Sequence, residues 1–280
     1  MAKRDQEIKF CFEAESWSEA VPNRAELREV YRQSSDPEFA KMLNNVRVGQ
    51  IPGWVETRLA QSYENHQKLD LGEVIPTRLM THNKQVEMVN QTEYEKLPKT
   101  REEHVFEAVD STTVEKVRNH LDKLLNQVSR KLCLKKGAQV MLLRNINVSQ
   151  GLVNGSRGVV TKFDRETGNP VVRFHADENE HVIKREKFMM ELGGQMVSRL
   201  QFPLQLAWAI SIHKSQGMSL DLATISLAKC FEAGQAYVAL SRCRSYAGLR
   251  VLGKGCNIVN CNIISFLLRP KYGEPIFNPE

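Results

Sequence analysis

The feature that most constrains the fold of this chain is an apolar run that ends abruptly in a polar cluster. Residues 204–210 are apolar except for Gln205, and Ser211-Ile212-His213-Lys214-Ser215-Gln216-Gly217-Met218 follows. A short apolar run bounded by polar residues and glycine is typical of a buried strand. At the end of such a strand, hydroxyls, a lysine and the N–H groups of a starting helix can hold phosphate oxygens at the rim of a cleft. An ordinary capped helix with a glycine break would account for the same residues.

A second polar cluster closes a packed helical stretch. Ala236, Val238, Ala239 and Leu240 favour a buried helix, and Ser241-Arg242-Cys243-Arg244 follows it directly. An arginine held by a buried helix suits the stabilisation of charge on a transferring phosphoryl group, because the guanidinium fork matches phosphate oxygens. A surface salt bridge is the alternative interpretation of this arginine.

The patterns on either side of these clusters favour an α/β fold. After Asp36-Pro37, four apolar residues recur at helical spacing: Phe39, Met42, Leu43 and Val46. Residues 75–80 are a strand candidate, and Thr81-His82-Asn83 could cap a helix that follows it. Three further elements are predicted, a helix at 112–128 and buried strands at 223–227 and 248–252. Strand, polar turn and helix in this order begin a β-α unit.

A different pattern occupies residues 135–191. Short strand candidates are joined there by turns such as Asn154-Gly155 and Gly168-Asn169. The candidates are 138–143, 158–163, 171–174 and 181–183. Short strands joined by tight turns describe a small antiparallel barrel or sheet. After Gly193-Gly194 we expect the α/β pattern to resume, so the segment is predicted to be an insert in one α/β domain.

Charge and cysteine content narrow the classes of function. Lys+Arg number 39 against 33 acidic residues, which gives a formal charge of +6 and a pI of about 9.0. This balance favours an anionic partner such as nucleic acid. The six cysteines show no C-x-x-C spacing, so we predict reduced thiols and no metal site. The sequence contains no apolar run that is long enough to predict a membrane span. The basic pair Lys3-Arg4 is not followed by an apolar stretch, so a secretory signal is not predicted there.

Four ordered motifs resemble those of superfamily-one DNA helicases of the Pif and RecD-like branch. The segment Ser211–Asp221 resembles motif V, and Gln235–Arg242 resembles motif VI. Residues 27–33, with Asp36 and Phe39, resemble motif IV. The block from Lys135 to Gly158 resembles the barrel inserted in the second RecA-like domain of Pif helicases. The similarity runs from about residue 10 to about residue 268.

The resemblance implies a role for each matching residue. Arg242 would be the arginine finger that reaches the γ-phosphate of ATP, and Arg32 would assist it. Gln216, Gly217 and Gln235 would lie on the nucleotide side of the inter-domain cleft. Six polar residues would face the single-stranded DNA track: Thr81, His82, Asn83, Ser211, His213 and Lys214.

The resemblance also implies a domain order. Residues 1–50 would be the remnant of a first RecA-like domain and a linker with motif IV. The second RecA-like domain would comprise 51–134 and 192–270, the latter with motifs V and VI. It would be interrupted at 135–191 by a small antiparallel β-barrel of the Src-homology-like type, and 271–280 would be a tail.

ATP and Mg²⁺ are the cofactors that the resemblance implies, yet their main binding groups are missing from the sequence. The segment Gly248–Gly255 comes close to the phosphate loop G-x-x-x-x-G-K-[ST] but has glycine in place of the final hydroxyl residue. Its residues 249–252 are predicted to form a strand, where a phosphate loop is needed. Asp177 and Glu178, which follow another apolar strand, lie in the predicted insert and read as solvated hairpin acids. We therefore expect no useful ATP hydrolysis by this chain alone.

Two functions remain as hypotheses. In the first, the chain is the C-terminal portion of an ATP-dependent 5′-to-3′ DNA helicase of genome maintenance (repair, recombination and telomere upkeep), in the nucleus or the mitochondrion. Its partners would then be single-stranded DNA and a first RecA-like domain, encoded upstream or carried by a separate chain. In the second, the chain is a non-catalytic module that binds single-stranded nucleic acid.

Overall fold

The computed structural model describes residues 14–23, 29–67, 75–112, 121–125, 128–175, 179–192, 194–226 and 234–252. The chain divides into two compact units, Met1–Tyr31 and Arg32–Glu280. The sequence predictions for residues 10–12, 27–28 and 271–280 lie outside the described residues, as do Asp177 and Glu178.

The secondary structure of the described residues is as follows. The helices are α1 (Trp17–Ala20), α2 (Pro37–Arg47), α3 (Gly53–Gln61), α4 (Asn83–Lys96), α5 (Leu121–Leu124), α6 (Gln235–Leu240) and a 3₁₀ helix, Ser62–Gln67. The first seven strands are β1 (Thr77–Met80), β2 (Glu103–Glu107), β3 (Val109–Thr112), β4 (Lys131–Lys135), β5 (Gln139–Leu142), β6 (Arg157–Phe163) and β7 (Pro170–Phe174). The last seven are β8 (Glu180–Val182), β9 (Glu186–Leu192), β10 (Gln195–Gln201), β11 (Leu204–Leu206), β12 (Ala209–Ser211), β13 (Ala223–Ser226) and β14 (Leu249–Leu252).

Helix α2 forms where its sequence pattern predicts it. Asp36 caps the helix by accepting a hydrogen bond from the Phe39 backbone N–H at 3.0 Å, and Pro37 occupies the first turn. Proline is tolerated there because the first N–H groups of a helix have no partner within the helix. The four apolar residues at helical spacing, including Val46, are all buried.

A four-stranded parallel sheet forms the α/β part of the second unit, in the order β12-β1-β13-β14. Helices α2, α3 and α6 contribute Phe39, Leu59 and Ala239 to the same hydrophobic core as strand residues Leu79 and Ile225. The predicted strands at 75–80, 223–227 and 248–252 are confirmed with shorter bounds. Because β1, β12 and β13 run parallel, their carboxyl ends meet at one edge of the sheet.

The apolar run that dominates the sequence is not one strand. Strand β11 pairs antiparallel with β5, whereas β12 pairs parallel with β1. Between them, Ala207 donates its N–H to Gln139 O at 2.9 Å, and Trp208 O accepts from the Arg78 N–H, also at 2.9 Å. The chain therefore passes from one sheet to another within the run, and it stays apolar because both sheets are buried there.

Antiparallel strands fill most of the chain between β1 and β12. They form a five-stranded sheet in the order β11-β5-β6-β7-β8, a three-stranded sheet β3-β10-β9 and the pair β2-β4. The five-stranded sheet and the pair β2-β4 share a core that includes Leu134, Phe174 and Phe202. Val197 of β10 lies in a separate cluster with Leu121 and Leu125. The four strand predictions within 135–191 are confirmed, and antiparallel strands extend beyond that segment on both sides.

Two expectations about the borders of the antiparallel strands are wrong. Thr112 ends strand β3 instead of starting a helix, and of the predicted helix the structure describes only α5 and its neighbours, since 113–120 lie outside the described residues. The α/β pattern does not resume after Gly194, because β10 pairs along its whole length with β9. Met196 and Leu200 are exposed on one face of β10 and Val197 and Arg199 are buried on the other, as in a half-buried strand, although Ser198 between them is buried as well.

Among the helices that the structure describes, none has the length and apolar character needed to cross a membrane.

Candidate functional site

Arg32 and Arg242 are brought together around Ser241. The Nη1 of Arg32 donates to the Ser241 backbone carbonyl at 3.2 Å, and the Nη2 of Arg242 donates to the Ser241 Oγ at 2.9 Å. Arg32 also donates from Nε to the Ser219 Oγ at 3.0 Å, and Arg242 from Nε to the Val238 carbonyl at 2.9 Å. The two half-buried guanidinium groups are thus fixed by neutral oxygens.

The charge of this arginine pair is uncompensated within the described residues. No described carboxylate forms an ion pair with either guanidinium, and the nearest acidic pairing in this region joins Arg244 to Asp221 at 3.2 Å. Burial lowers the pKa of Arg242, and the positive charge of Arg32 lowers it further. Two cations that repel each other in a partly desolvated place favour a multivalent anion such as a phosphate group.

The backbone of Arg242 is held by motif V. Leu220 donates its N–H to the Arg242 carbonyl at 2.8 Å, and Arg244 donates its N–H to the Leu220 carbonyl at 3.1 Å. A parallel bridge joins Leu220 to Cys243. The segment from Met218 to Leu222 therefore contacts both arginines, Arg32 through Ser219 and Arg242 through Leu220.

The six residues predicted for DNA gather at two strand ends. Strands β1 and β12 are in register at Met80 and Ser211, and the Ile212 N–H donates to the Met80 carbonyl at 2.9 Å. Thr81 and Ser211 are buried beside the sheet, whereas the other four side chains are exposed: His82, Asn83, His213 and Lys214. This arrangement offers exposed hydrogen-bond donors and one ammonium group along a single sheet edge.

Local hydrogen bonds shape both strand ends. The Thr81 Oγ1 lies 2.7 Å from the His82 Nδ1, and α4 begins directly afterwards at Asn83. The expectation that this segment starts a helix is confirmed, although no side chain caps the helix. At the other strand end, the Ser211 Oγ accepts from the Lys214 N–H at 3.4 Å and the Ser211 carbonyl from the Ser215 N–H at 3.0 Å.

The three residues predicted for the nucleotide side lie in two places. Gln216 and Gly217 are exposed in a turn within motif V, directly after the DNA-side residues Ser211–Lys214, and Gly217 has a left-handed φ of +81°. Gln235 is buried at the first position of α6, the helix that leads to Arg242. The structure brings together the two arginines and separately the strand-end residues, and the roles of all eleven residues remain predictions.

Three contacts at the arginine pair escape sequence reasoning. Ser219 and Ser241 lie in the quoted motifs and supply the acceptors for Arg32, while Gln33 donates to the Cys243 carbonyl at 2.6 Å. The sequence signal for Ser241 is its position directly before Arg242. Ser219 and Gln33 carry no comparable signal, because their partners lie far away in the chain.

The described residues contain no cluster of metal-ligating side chains. Among the described residues, no group of three or more His, Cys, Asp or Glu side chains could hold a metal ion.

Comparisons with known proteins match this chain to DNA helicases. The family profile described as DNA helicase Pif1, 2B domain, matches residues 119–163. The ATP-dependent DNA helicase PIF1 of Xenopus laevis is 45% identical over 267 residues, covering 94% of this chain and 40% of the relative. The chain thus spans less than half the length of the curated relatives that it matches.

Two solved structures are similar to most of the chain. The crystal structure of Pif1 helicase from Candida albicans matches with a TM-score of 0.64 and 33% identity, covering 89% of this chain and 61% of that one. The structure of Bacteroides sp Pif1 in complex with ADP-AlF4 matches with a TM-score of 0.60 and 30% identity, covering 80% of this chain and 50% of that one.

The parallel sheet, the helices around it and these neighbours define a RecA-like helicase fold. Within that class the chain belongs to the Pif1 helicase family, as the motifs in its sequence predicted.

Proposed function

We propose that this chain supplies the arginine side of an ATP-hydrolysing site and part of the single-stranded DNA track of a 5′-to-3′ DNA helicase. The observation that carries the proposal is the pair formed by Arg32 and Arg242, two guanidinium groups fixed by Ser241, neither of which forms an ion pair with a described carboxylate. Family membership supports it, because the matched relatives are named ATP-dependent DNA helicases.

The chemistry assigned to the pair is charge stabilisation. Arg242 would contact the γ-phosphate as it is transferred to water, and Arg32 would hold the same anion from the side of Ser219. An arginine finger contributes about 10³–10⁵-fold to the rate in related NTPases. It contributes only when the phosphates are already held by a P-loop lysine and Mg²⁺, so catalysis requires a first RecA-like domain in the same polypeptide or in a separate chain.

The DNA-binding part of the proposal rests on the sheet edge formed by β1 and β12. Thr81, His82 and Asn83 on one strand end, and Ser211, His213 and Lys214 on the next, would contact the phosphate backbone of a single strand. Hydroxyls, amides and one lysine bind phosphate without reading sequence. The net charge of +6 agrees with an anionic partner.

Several finer statements belong to the same proposal. The antiparallel strands around 135–191 would form the Src-homology-like barrel of the family. The barrel would interrupt the second RecA-like domain at 51–134 and 192–270, with β10 continuing the antiparallel strands past residue 192. Residues 1–50 would belong with the first RecA-like domain and linker, and 271–280 would be a tail. Genome maintenance in the nucleus or mitochondrion would be the cellular setting, with ATP and Mg²⁺ as cofactors.

A second candidate is a non-catalytic module that binds single-stranded nucleic acid. The observation that favours it is that no stretch of the 280 residues completes a phosphate loop, since Gly255 stands where the hydroxyl is required. In this candidate the strand-end residues act in the same way, and the arginine pair has no catalytic role.

A chimera separates the two candidates. This chain would replace the matching segment of the Xenopus laevis relative, and phosphate release would be measured with and without single-stranded DNA. Under the helicase proposal the chimera hydrolyses ATP and Arg242→Ala lowers kcat by about 10³-fold or more. A chimera that folds and binds ATP but hydrolyses none of it, or an Arg242→Ala chimera with unchanged kcat, contradicts the proposal.

Binding by the full chain tests the DNA track directly. Fluorescence anisotropy with a labelled poly-dT strand at low salt is expected to detect binding that Lys214→Ala and His213→Ala weaken. Lys214→Ala should also reduce the slope of log K against log salt by about 0.7, one single-strand phosphate contact. Lys162→Ala serves as the control, because Lys162 pairs with Glu180 on the antiparallel sheet. Equal losses in Lys162→Ala and Lys214→Ala would show that the track lies elsewhere.

A further inference from the structure

Arg157, which opens strand β6, is a buried guanidinium that the proposed function does not use. Its side chain is 3% exposed. The Nη1 donates to the Leu222 carbonyl at 2.8 Å, while Nε and Nη2 have no hydrogen-bond partner among the described residues. Burial lowers the pKa of Arg157 to about 10, against the opposing effect of Asp221. Replacing a buried charge by an apolar side chain is often neutral or stabilising, so stability alone does not account for this arginine.

The backbone beside Arg157 lies close to motif V. A Cβ built on Gly155 would lie 3.0 Å from the Ser219 carbonyl oxygen and 3.1 Å from the Met218 Cβ. Gly155 also has a φ of +97°, which side-chain-bearing residues rarely adopt. The turn before β6 is therefore seated directly on the segment from Met218 to Leu222.

That segment also contacts the arginine pair. Ser219 accepts the hydrogen bond from Arg32, and Leu220 donates to the Arg242 backbone carbonyl. Arg157 donates a hydrogen bond to the carbonyl of Leu222, two residues after Leu220. A displacement of the antiparallel strands would therefore change the positions of both arginines. A chain of packed side chains and hydrogen bonds with short links can carry such coupling.

We propose that Arg157 is a positioning residue for ATP hydrolysis, which seats the antiparallel strands on motif V and thereby sets the reach of Arg32 and Arg242 towards phosphate. The inference rests on the proposed function of the arginine pair. Arg157 touches no substrate in this scheme. Its action passes through Leu222 and Ser219, and it makes the rate of hydrolysis depend on how the antiparallel strands are docked.

The test uses the chimera described above and separates kcat from KM. Arg157→Met and Arg157→Lys remove the planar fork, and the lysine keeps the charge. We expect Arg157→Met to lower the DNA-stimulated kcat by about tenfold, with KM for ATP and affinity for poly-dT within about twofold of the unmodified chimera. Arg157→Lys should recover part of the loss. Lys162→Met, on the same strand but paired with Glu180 at the surface, is the matched control.

A double-mutant cycle with Ser219→Ala examines the route. If Arg157 acts through motif V, the losses in kcat of the two single variants should not multiply in the double variant. Should Arg157→Met not fold, Arg157→Lys and the cycle built on it supply the same comparison. An unchanged kcat in folded Arg157→Met or Arg157→Lys overturns the inference, and so do multiplying losses. Arg242→Ala distinguishes failure of this inference from failure of the proposed function. If Arg242→Ala leaves kcat unchanged, the proposed function is wrong as well.

Labelling of a buried thiol in the full chain measures whether Arg157 keeps the antiparallel strands packed on the segment from Met218 to Leu222. Cys243 is buried beside Arg157, and burial raises the pKa of its thiol to about 12, so it should react slowly with a disulfide reagent. With the other five cysteines replaced by serine, Arg157→Met should speed labelling of Cys243 at least fivefold, and Lys162→Met should not. Equal labelling rates in all variants would mean that Arg157 does not keep the antiparallel strands packed on motif V.

Discussion

Gln33 and Cys243 are joined by a buried hydrogen bond of 2.6 Å, from the glutamine Nε2 to the cysteine backbone carbonyl. The same Nε2 lies 3.3 Å from the Ser241 carbonyl. The side chain thus bridges the two carbonyls that flank Arg242, and it follows Arg32 in the chain. Motif IV and motif VI are locked together at this point, so the geometry of the arginine pair depends on a residue with no role of its own towards phosphate.

Replacing this amide should lower stability. Gln33→Leu removes the side-chain donor to the buried Cys243 carbonyl, whereas the Ser241 carbonyl keeps its hydrogen bond from Arg32. An unsatisfied buried group costs about 1–3 kcal/mol. We expect the free energy of unfolding in urea to fall by that amount. Gln91→Leu is the control, because the Gln91 side chain bonds to Glu95 on the exposed face of α4. A loss in Gln33→Leu no larger than that in Gln91→Leu would contradict the assigned role.

The arginine pair should bind a multivalent anion even in this chain alone. Pyrophosphate at ten times its Kd would stabilise the folded state by about 1.4 kcal/mol, which corresponds to about 3–6 °C in Tm for a domain of this size. The double variant Arg32→Gln/Arg242→Gln should lose the shift. Arg144→Gln, whose guanidinium stacks on Phe188, should keep it. An equal rise in Tm for all three proteins would assign the effect to other cations.

The ion pair at Arg199 should be the most sensitive charge cluster of the antiparallel region. Arg199 is 1% exposed and donates to both oxygens of Asp110, at 2.7 and 2.8 Å, and to Asp122 at 2.7 Å. Asp110→Ala leaves a buried charge short of its bidentate partner, which costs about 3–5 kcal/mol in free energy of unfolding. Asp122→Ala removes an exposed partner of the same arginine and should cost about 1 kcal/mol or less. Chemical denaturation of both variants checks the order, and the reverse order would refute it.

Substitution of glycine by alanine should have opposite effects on stability at Gly248 and at Gly53. A Cβ on Gly248 would lie 1.8 Å from the Asp221 carbonyl oxygen, so Gly248→Ala must displace backbone beside motif V. We expect it to lower the free energy of unfolding by about 1–3 kcal/mol. Gly53 opens α3 with no atom within 4 Å of a built Cβ, and Gly53→Ala should raise stability by up to about 1 kcal/mol. Thermal unfolding that moves both variants in the same direction would contradict the close approach at Gly248.

Local pattern predicted the elements whose formation depends on neighbouring residues. Helix α2 was predicted from Asp36, Pro37 and four apolar residues at helical spacing, and its capping bond and burial agree. The strands of the parallel sheet were predicted from short apolar runs. Strands β9 and β10 were missed, because a half-buried hairpin with exposed methionines alternates too weakly to be distinguished from a loop.

The sequence by itself determined the α/β class, which follows from short-range periodicity, and the order of the motifs, whose resemblance to those of Pif helicases indicates the family. Only the tertiary structure decided that Arg32 reaches Ser219 and Ser241, that the apolar run splits between two sheets, and that Arg157 is buried against Leu222. Each of these contacts joins residues distant in the chain. Such pairings become favourable only when a common core excludes water from both partners, and no local pattern in the sequence encodes which distant partner that will be.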